Sequence, residues 1–451
     1  MEISTSQTAL EIASTWWMWF WISIVIFSIT FIIILSERIH RAVIWFIWAL
    51  IMVIAWMYFW FYSPDLAKEA LDFNTLGLLF WMMVIVAILE HTWAFQYLWI
   101  KVAKKTKWDL WKLTFALWTL TTVLSLILDN VTTIILIVPI TIIISRMLKL
   151  NPTPILITEA LLSNTWWVAT LVWDPPNIMI GSVAGFSFND FLIHSLPVVF
   201  FAWWATLLTL KFVFRKELRE KPNKEDIDLL LKMNEKEAIK DPVTLKKIIF
   251  VLVLVVLLFF IHHSIHIEPS MVAIIWASLA LILVSATKDP QKILEKVELS
   301  VLLFFWSLFV IVWWLEHAWV LKQLAEMITS WAEGNILFTA LVILWVSAIL
   351  SAIVDNIPMT VAMLPILAYL QYEVQLPGYE LLWWALVFWV WFGWNASPIW
   401  STANVIVVSK SEQTDYPITF VWWMKSWLAA AFTSLVVASF WIYVLSLFLL
   451  K

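Results

Sequence analysis

Residues 126–140 read LILDNVTTIILIVPI, and residues 352–366 read AIVDNIPMTVAMLPI. Each is an apolar run interrupted by an Asp-Asn pair, Asp129-Asn130 in the first and Asp355-Asn356 in the second, 226 positions apart. An acid and an amide are expensive to place in apolar surroundings, and inside a membrane such residues mark function by default. Here the expense is incurred twice, in the same local context. The rest of the chain reads as what holds these two tips face to face.

Composition places the tips in a bilayer. The 451 residues are 63% hydrophobic and 13% charged, against about 45–50% and 25% for soluble domains. An all-α polytopic membrane protein follows, with the lipid bilayer as its partner and no place for nucleic acid. The chain has no cysteine, so disulfides and thiolate metal sites are excluded. The first 13 residues hold no Lys or Arg, so no basic secretory leader is expected and the first apolar run reads as a retained span.

Apolar runs long enough to span, about 20 residues each, fall near 14–35, 41–62, 76–99, 155–181, 191–213, 248–265, 270–287, 300–321, 381–407 and 419–450. Two further pieces, 113–147 and 336–371, are split by the Asp-Asn pairs into arms too short to span comfortably. Each reads as a hairpin that returns the chain to the side it came from. With ten spans, Arg38, Arg41, the lysines from Lys101 to Lys112, Arg146, Lys149, the eleven basic residues from Lys211 to Lys247 and Lys288, Lys292 and Lys296 all fall on one side. The positive-inside rule makes that side cytoplasmic, which puts the protein in the cytoplasmic membrane with both termini outside. Segment 216–247 is then a cytoplasmic linker, its 226–238 part a short surface helix, between a first repeat at 1–215 and a second at 248–451.

The repeat runs beyond the hairpins. Leu89-Glu90-His91 recurs as Leu315-Glu316-His317, and Pro139 as Pro365, at the same offset of 226. WWVATLVWDPPNIM (166–179) returns as GWNASPIWSTANVI (393–406) at 227. Five crossings separate equivalent spans, so the repeats have inverted topology, the arrangement of alternating-access carriers with sites near the midplane. A passive channel has no need of two broken, opposed hairpins. An intramembrane enzyme would need one asymmetric cluster, whereas these polar groups are duplicated.

Candidate ligands gather in four places. At the tips, Asn130, Thr132, Thr133, Asn356 and Thr360 supply neutral oxygens suited to sodium, and Asp129 and Asp355 add charge or a titratable proton; alternatively each Asp caps the helix that follows. In the interrupted spans, Asn164, Thr170, Asp174 and Asn177 face Asn395, Ser397, Ser401, Thr402 and Asn404. Polar residues with proline inside a span predict unwound backbone, tolerated only where it is buried in protein or lines a cavity. Glu90-His91 and its copy read as scaffold anchors near span ends. His262, His263 and His266 read as interfacial, because Glu268 alone accompanies them. No resident metal or cofactor is expected beyond a coupling ion, Na+ or H+.

The stretches LDNVTTIILIVPI, SNTWWVATLVWDPPNIMIG and GWNASPIWSTANVIV resemble the arsenite permease/NhaD-type antiporters, within the ion transporter superfamily that includes citrate and dicarboxylate carriers. The branch resembling the melanosomal P protein is nearest, and the similarity covers roughly residues 15–450. The resemblance implies a scaffold and a transport part with two opposed re-entrant hairpins, elevator-like movement and a homodimer. In the sodium–dicarboxylate members the tips carry Ser-Asn-Thr; here those slots hold Asp129-Asn130-Val131 and Asp355-Asn356-Ile357. Two unit charges 4 Å apart interact by about 4 kcal/mol at an effective dielectric of 20. An ionised dicarboxylate would meet that repulsion, whereas a cation, a proton or a neutral oxyacid would not. The expectation is therefore sodium–proton antiport or arsenite efflux ahead of carboxylate uptake.

One count is abnormal: 36 Trp against 6 Gly, where glycine alone usually makes up about 7% of a chain. Many of these Trp stand where bare backbone is needed, as in Trp166-Trp167 and in Trp173 before Asp174-Pro175-Pro176, and Gly393 falls opposite Trp166 in the overlaid repeats. A genetic code that reads UGA as glycine would produce the pattern. Trp does favour membrane interfaces, but interfacial belts do not set it mid-span in pairs. Peptide mass spectrometry of protein from its native source is expected to find glycine at most of positions 166, 167, 173, 394 and 400, with UGA codons in the gene. UGG at these five codons would end the idea.

Overall fold

Helices form throughout the described residues, and short polar residues fix where they begin. The computed structural model describes residues 41–58, 71–90, 92, 94–106, 110–125, 130–171, 174–219, 241–285, 289–317, 335–351, 356–393 and 402–450, with isolated positions at 25, 29, 323 and 326. In the first half, α1 (Arg41–Tyr58), α2 (Phe73–Glu90), α3 (Ala94–Lys105), α4 (Leu110–Ser125), α5 (Asn130–Met147) and α6 (Thr153–Trp166) lead into a 3-10 turn at Trp167–Ala169. Then come α7 (Pro175–Ala184), α8 (Phe188–His194) and α9 (Leu196–Val213). The second half holds α10 (Pro242–Ile261), α11 (Pro269–Ser285), α12 (Pro290–Leu294), α13 (Leu299–His317), α14 (Ile336–Ser351), α15 (Asn356–Tyr372), α16 (Glu380–Gly393), α17 (Thr402–Ser411) and α18 (Phe420–Leu449).

Local chemistry accounts for many of these boundaries. Asp72 accepts from the Thr75 N–H at 3.0 Å ahead of α2, and Asp241 accepts from the Thr244 N–H at 3.0 Å ahead of α10. Ser187 and Asp190 form a capping box on α8. Proline opens α7, α9, α10 and α12, where its missing N–H leaves no bond unmade. Gly185 ends α7 at φ 75°, a conformation that glycine adopts without the strain a Cβ brings.

Each half presents its elements in the same order at a nearly constant offset. α2 and α13, α4 and α14, and α5 and α15 begin 226 positions apart; α6 and α16, and α7 and α17, begin 227 apart. Contacts between the halves are exchanged in the same way. α2 packs on α11 and α13 on α1; α5 packs on α17 and α15 on α7; α9 and α18 pack on each other. Reciprocal contacts of this kind are what a two-fold relation generates.

Two helices lie in each stretch expected to form a hairpin. The first begins at Leu110 rather than 113, and its arms are α4 and α5; the second has arms α14 and α15. At 1.5 Å per residue, arms of 16 to 18 residues reach about 24–27 Å, short of a hydrocarbon core of about 30 Å. The four residues between the arms, 126–129 and 352–355, lie outside the described residues, as does the expected surface helix at 226–238.

Among the described residues, three helices are long and apolar enough to cross a membrane: α9, α10 and α18. The expected span 155–181 is divided into α6, the 3-10 turn and α7, and the expected span 76–99 into α2 and α3. Polar and proline residues cause the first division, as their placement predicts. The outer faces remain apolar, with Phe212, Ile282, Phe440 and Phe448 each more than 60% exposed. A lipid surround supplies the partner that such faces lack in water.

Contacts also sort the loops. The Arg146 guanidinium donates to the Gln413 carbonyl, the Thr153 hydroxyl to the Tyr416 carbonyl at 3.3 Å, and Lys211 lies 4.2 Å over the Trp111 ring. Every one of these joins segments expected in the cytoplasm. At the other end, the Ser270 N–H donates to Asn74 at 3.0 Å, Asn189 to the Phe260 carbonyl at 2.9 Å, and the Tyr372 hydroxyl to the Val183 carbonyl at 2.9 Å. Cysteines introduced at Ser63 and Gln375 are expected to react with an impermeant thiol reagent added outside intact cells, and one at Lys104 to stay unlabelled. Labelling of Lys104→Cys from outside would reverse the orientation.

Candidate functional site

Three asparagines from three helices meet at one point. Asn130 is the first residue of α5, Asn164 lies in the last turn of α6, and Asn404 lies in the first turn of α17. The Asn130 Nδ2 donates to Asn164 Oδ1 at 2.6 Å, and Asn164 Nδ2 donates to Asn404 Oδ1 at 3.3 Å. All three are 2% exposed or less. The chain joins the two halves here by side-chain amides, at the convergence of two helix N-termini and one helix C-terminus. N-terminal turns favour negative charge, and C-terminal carbonyls favour cations.

A second group surrounds the unwound stretch between α6 and α7. The Asn177 Nδ2 donates to the Thr170 carbonyl at 3.1 Å. Asp174, 1% exposed, stands immediately before α7. The stretch is pinned from behind: the Ser195 hydroxyl donates to the Val168 carbonyl at 2.7 Å, and Ser125 to the Ser163 carbonyl at 2.7 Å. Asn177 and Asn404 are equivalent in the two repeats, at the offset of 227. α7 carries the first to α15, whereas α17 carries the second to α5. Each of these two contacts joins a helix of the first half to a helix of the second.

Six buried oxygen atoms here find no hydrogen-bond partner in the protein: Asn130 Oδ1, Thr133 Oγ1, Thr170 Oγ1, both Asp174 oxygens and Asn177 Oδ1. Leaving such a group unpaired costs about 1–3 kcal/mol each, which a purely structural cluster would avoid. An oxygen-only donor set is the chemistry of a hard cation.

Of the residues expected at the site, the structure joins Asn130, Asn164 and Asn404 by hydrogen bonds, and likewise Thr170 and Asn177. Thr133 is buried on α5, one turn from Asn130, and Thr360 is buried on α15. Thr132, Asn356 and Thr402 lie in α5, α15 and α17, with side chains outside the description. Asp129, Asp355, Asn395, Ser397 and Ser401 lie outside the described residues. Of the tryptophans expected to crowd the site, Trp166 has a described ring, and it packs against Trp203 of α9 with centroids 6.1 Å apart. Its Nε1 is buried without a partner, as are those of Trp118, Trp276, Trp389, Trp427 and Trp441; buried indoles usually find one.

Sequence reasoning missed Glu159. It is fully buried on α6, and both its oxygens face the Thr141 hydroxyl of α5, at 2.9 and 3.2 Å. A carboxylate in an apolar span is itself the mark that could have found it.

With this geometry in place, the comparisons define first a class: a multi-pass membrane transporter. A family model described as citrate transporter (CitMHS) matches residues 31–389. The chain belongs to that family, and it is a secondary transporter. The 46 kDa membrane protein of Mycobacterium leprae is 34% identical over 426 residues, covering 94% of this chain and 98% of that one. An uncharacterized transporter of Mycobacterium tuberculosis is 36% identical over 405 residues, 88% of this chain and 92% of its own length. The P protein of Homo sapiens is 30% identical over 429 residues; these are 78% of this chain and about half, 51%, of that protein. Among solved structures, the YdaH transporter of Alcanivorax borkumensis, described as having an unusual topology, superposes with a TM-score of 0.59 at 11% identity, covering 85% of this chain and 88% of that one. The shared fold is all-α and polytopic.

Asn164→Ala removes the acceptor for Asn130 and the donor to Asn404. It is expected to destabilise the detergent-solubilised protein by about 1–3 kcal/mol, read as a lower thermal midpoint. An unchanged midpoint for Asn164→Ala would mean that this bridge does not hold the halves together.

Proposed function

We propose that the chain moves an inorganic ion or a small oxyacid across the cytoplasmic membrane, coupled to sodium or protons, by elevator-type alternating access. The observation that carries this reading is that six buried oxygens, on the first turn of α5 and around the break between α6 and α7, have no hydrogen-bond partner in the protein. Asp129, Asn130, Thr132, Thr133, Asn164, Thr170, Asp174 and Asn177 bind in one half, and Asp355, Asn356, Thr360, Asn395, Ser397, Ser401, Thr402 and Asn404 in the other. The reciprocal packing of α5 on α17 and α15 on α7 supports two inverted repeats, 1–215 and 248–451, joined by a cytoplasmic linker at 216–247. A homodimer would supply the fixed frame against which such repeats move.

Citrate or a related carboxylate is the second reading, and two observations favour it. The matching family is described as citrate transporter, and the N-terminal turns of α5 and α17 meet at Asn164, where anionic groups bind well. Sodium–proton antiport and arsenite efflux rest on the acids at the tips, which oppose a naked dicarboxylate.

Proteoliposomes given sodium under a pH gradient, arsenite or citrate separate these substrates. Sodium- or arsenite-dependent flux is expected, and Asp129→Asn and Asp355→Asn are each expected to remove coupled transport while the protein still inserts and elutes as the native form. Normal pH-dependent flux in both variants would reduce the two acids to helix caps. Citrate uptake without the other two activities would replace the first reading by the second.

A further inference from the structure

On the face that joins the expected outer loops lies a cavity of about 460 Å³ between the start of α2, the body of α7 and the turn from α10 to α11. Asp72, His262, His263, His266 and Glu268 line it, and among the described residues around it there is no lysine or arginine. His262 is 5% exposed, and its Nδ1 lies 3.0 Å from the Ile267 carbonyl. A carbonyl only accepts, so Nδ1 carries the proton, and the lone pair of the neutral ring sits on Nε2. That atom is buried and has no partner. The cavity thus offers two carboxylates and a bare imidazole nitrogen, a set that attracts cations.

Two residues on the wall of this cavity are chain neighbours of residues that carry the buried oxygens. Leu171, 3% exposed, follows Thr170 directly and lines the cavity together with Gly181. Its Cδ1 occupies the notch that Gly181 leaves open: a Cβ added there would stand 2.3 Å away. Its chain neighbour Thr170 is bonded to Asn177, and the Thr170 hydroxyl and the Asn177 and Asp174 side-chain oxygens are buried with no protein partner. Leu171 and Ile178, the residues that directly follow Thr170 and Asn177, are thus buried apolar side chains on the wall of the carboxylate-lined cavity.

We propose that this cavity is a cation-collecting vestibule at one mouth of the transport path, and that Leu171 is the plug between it and Thr170. The proposal rests on the transport reading given above and narrows it to a cation arriving from this side. Clefts lined by one sign of charge concentrate the opposite ion and raise its arrival rate by about 10- to 1,000-fold.

The chain's lack of cysteine allows a test that needs no transport. Ser182 is exposed and lines the cavity. In full-length protein in liposomes, Ser182→Cys is expected to react with a cationic methanethiosulfonate about tenfold faster than with an anionic one, relative to the same ratio for a free thiol. That excess should fall several-fold when Asp72→Asn and Glu268→Gln are added; Asn still caps α2 in place of Asp. Thr170→Cys should be silent in the otherwise native chain and in Leu171→Met, and should become reactive in Leu171→Ala. Equal rates for the two reagents at Ser182→Cys would overturn the vestibule. Equal labelling of Thr170→Cys with and without Leu171→Ala would overturn the plug. If no ion moves in flux assays, the transport reading fails by itself, while the reagent ratio still decides the electrostatics of the cavity.

Discussion

The Asn164 side chain has one donor end and one acceptor end in use, and the two halves of the chain meet across it. Its oxygen takes a proton from Asn130, and its nitrogen gives one to Asn404. In a low dielectric an unpaired amide is costly, so the last turn of α6 can settle only where α5 and α17 both begin. This one requirement brings a hairpin arm of the first repeat against a short helix of the second. The two-fold exchange of contacts makes α15 meet α7 in the same manner. Around these bonds the Asn130, Thr133, Thr170, Asp174 and Asn177 side chains keep buried oxygens without a protein partner, and the character of the site follows from them.

Short helices are the second constraint. A broken span frees backbone groups that lipid cannot satisfy, so each break must be enclosed. α6 is covered by α4, α5 and α9, and α16 by α14, α15 and α18. Ser125 and Ser195 then bond to carbonyls at Ser163 and Val168, around the unwinding. Likeness to a solved transporter at 11% identity fits a fold set by where breaks and apolar faces fall rather than by residue identity.

Much of this was legible in the sequence, and the misses have physical causes. The Asp-Asn pairs, the offset of 226 and the prolines in spans located both hairpins and the divided helices, because each violates the apolar pattern locally. Helix starts at Asn130 and Asn356 followed from the same residues. Partners were not legible: nothing in one sequence says that Asn164 reaches Asn404, which lies 240 positions away. Glu159 stands in an apolar run with no proline or asparagine beside it to mark a break, unlike Asp174 before Pro175-Pro176. The direction of the Trp166 ring depends on α9, which no local pattern near residue 166 encodes.

The acids that the repeats do not share have a consequence of their own. Asp174 stands opposite Ser401, and Glu159 opposite Leu386. A carrier made of two identical halves would have inward-facing and outward-facing states of equal energy, and would rest half in each. Carboxylates confined to one half remove that degeneracy. An offset of about 1.4 kcal/mol is a tenfold bias in population, and apparent affinity scales with the fraction poised to bind. Under the proposed alternating access, a molecule so biased would rest with one face open and bind more tightly from that side, an asymmetry written into the sequence wherever the two halves disagree.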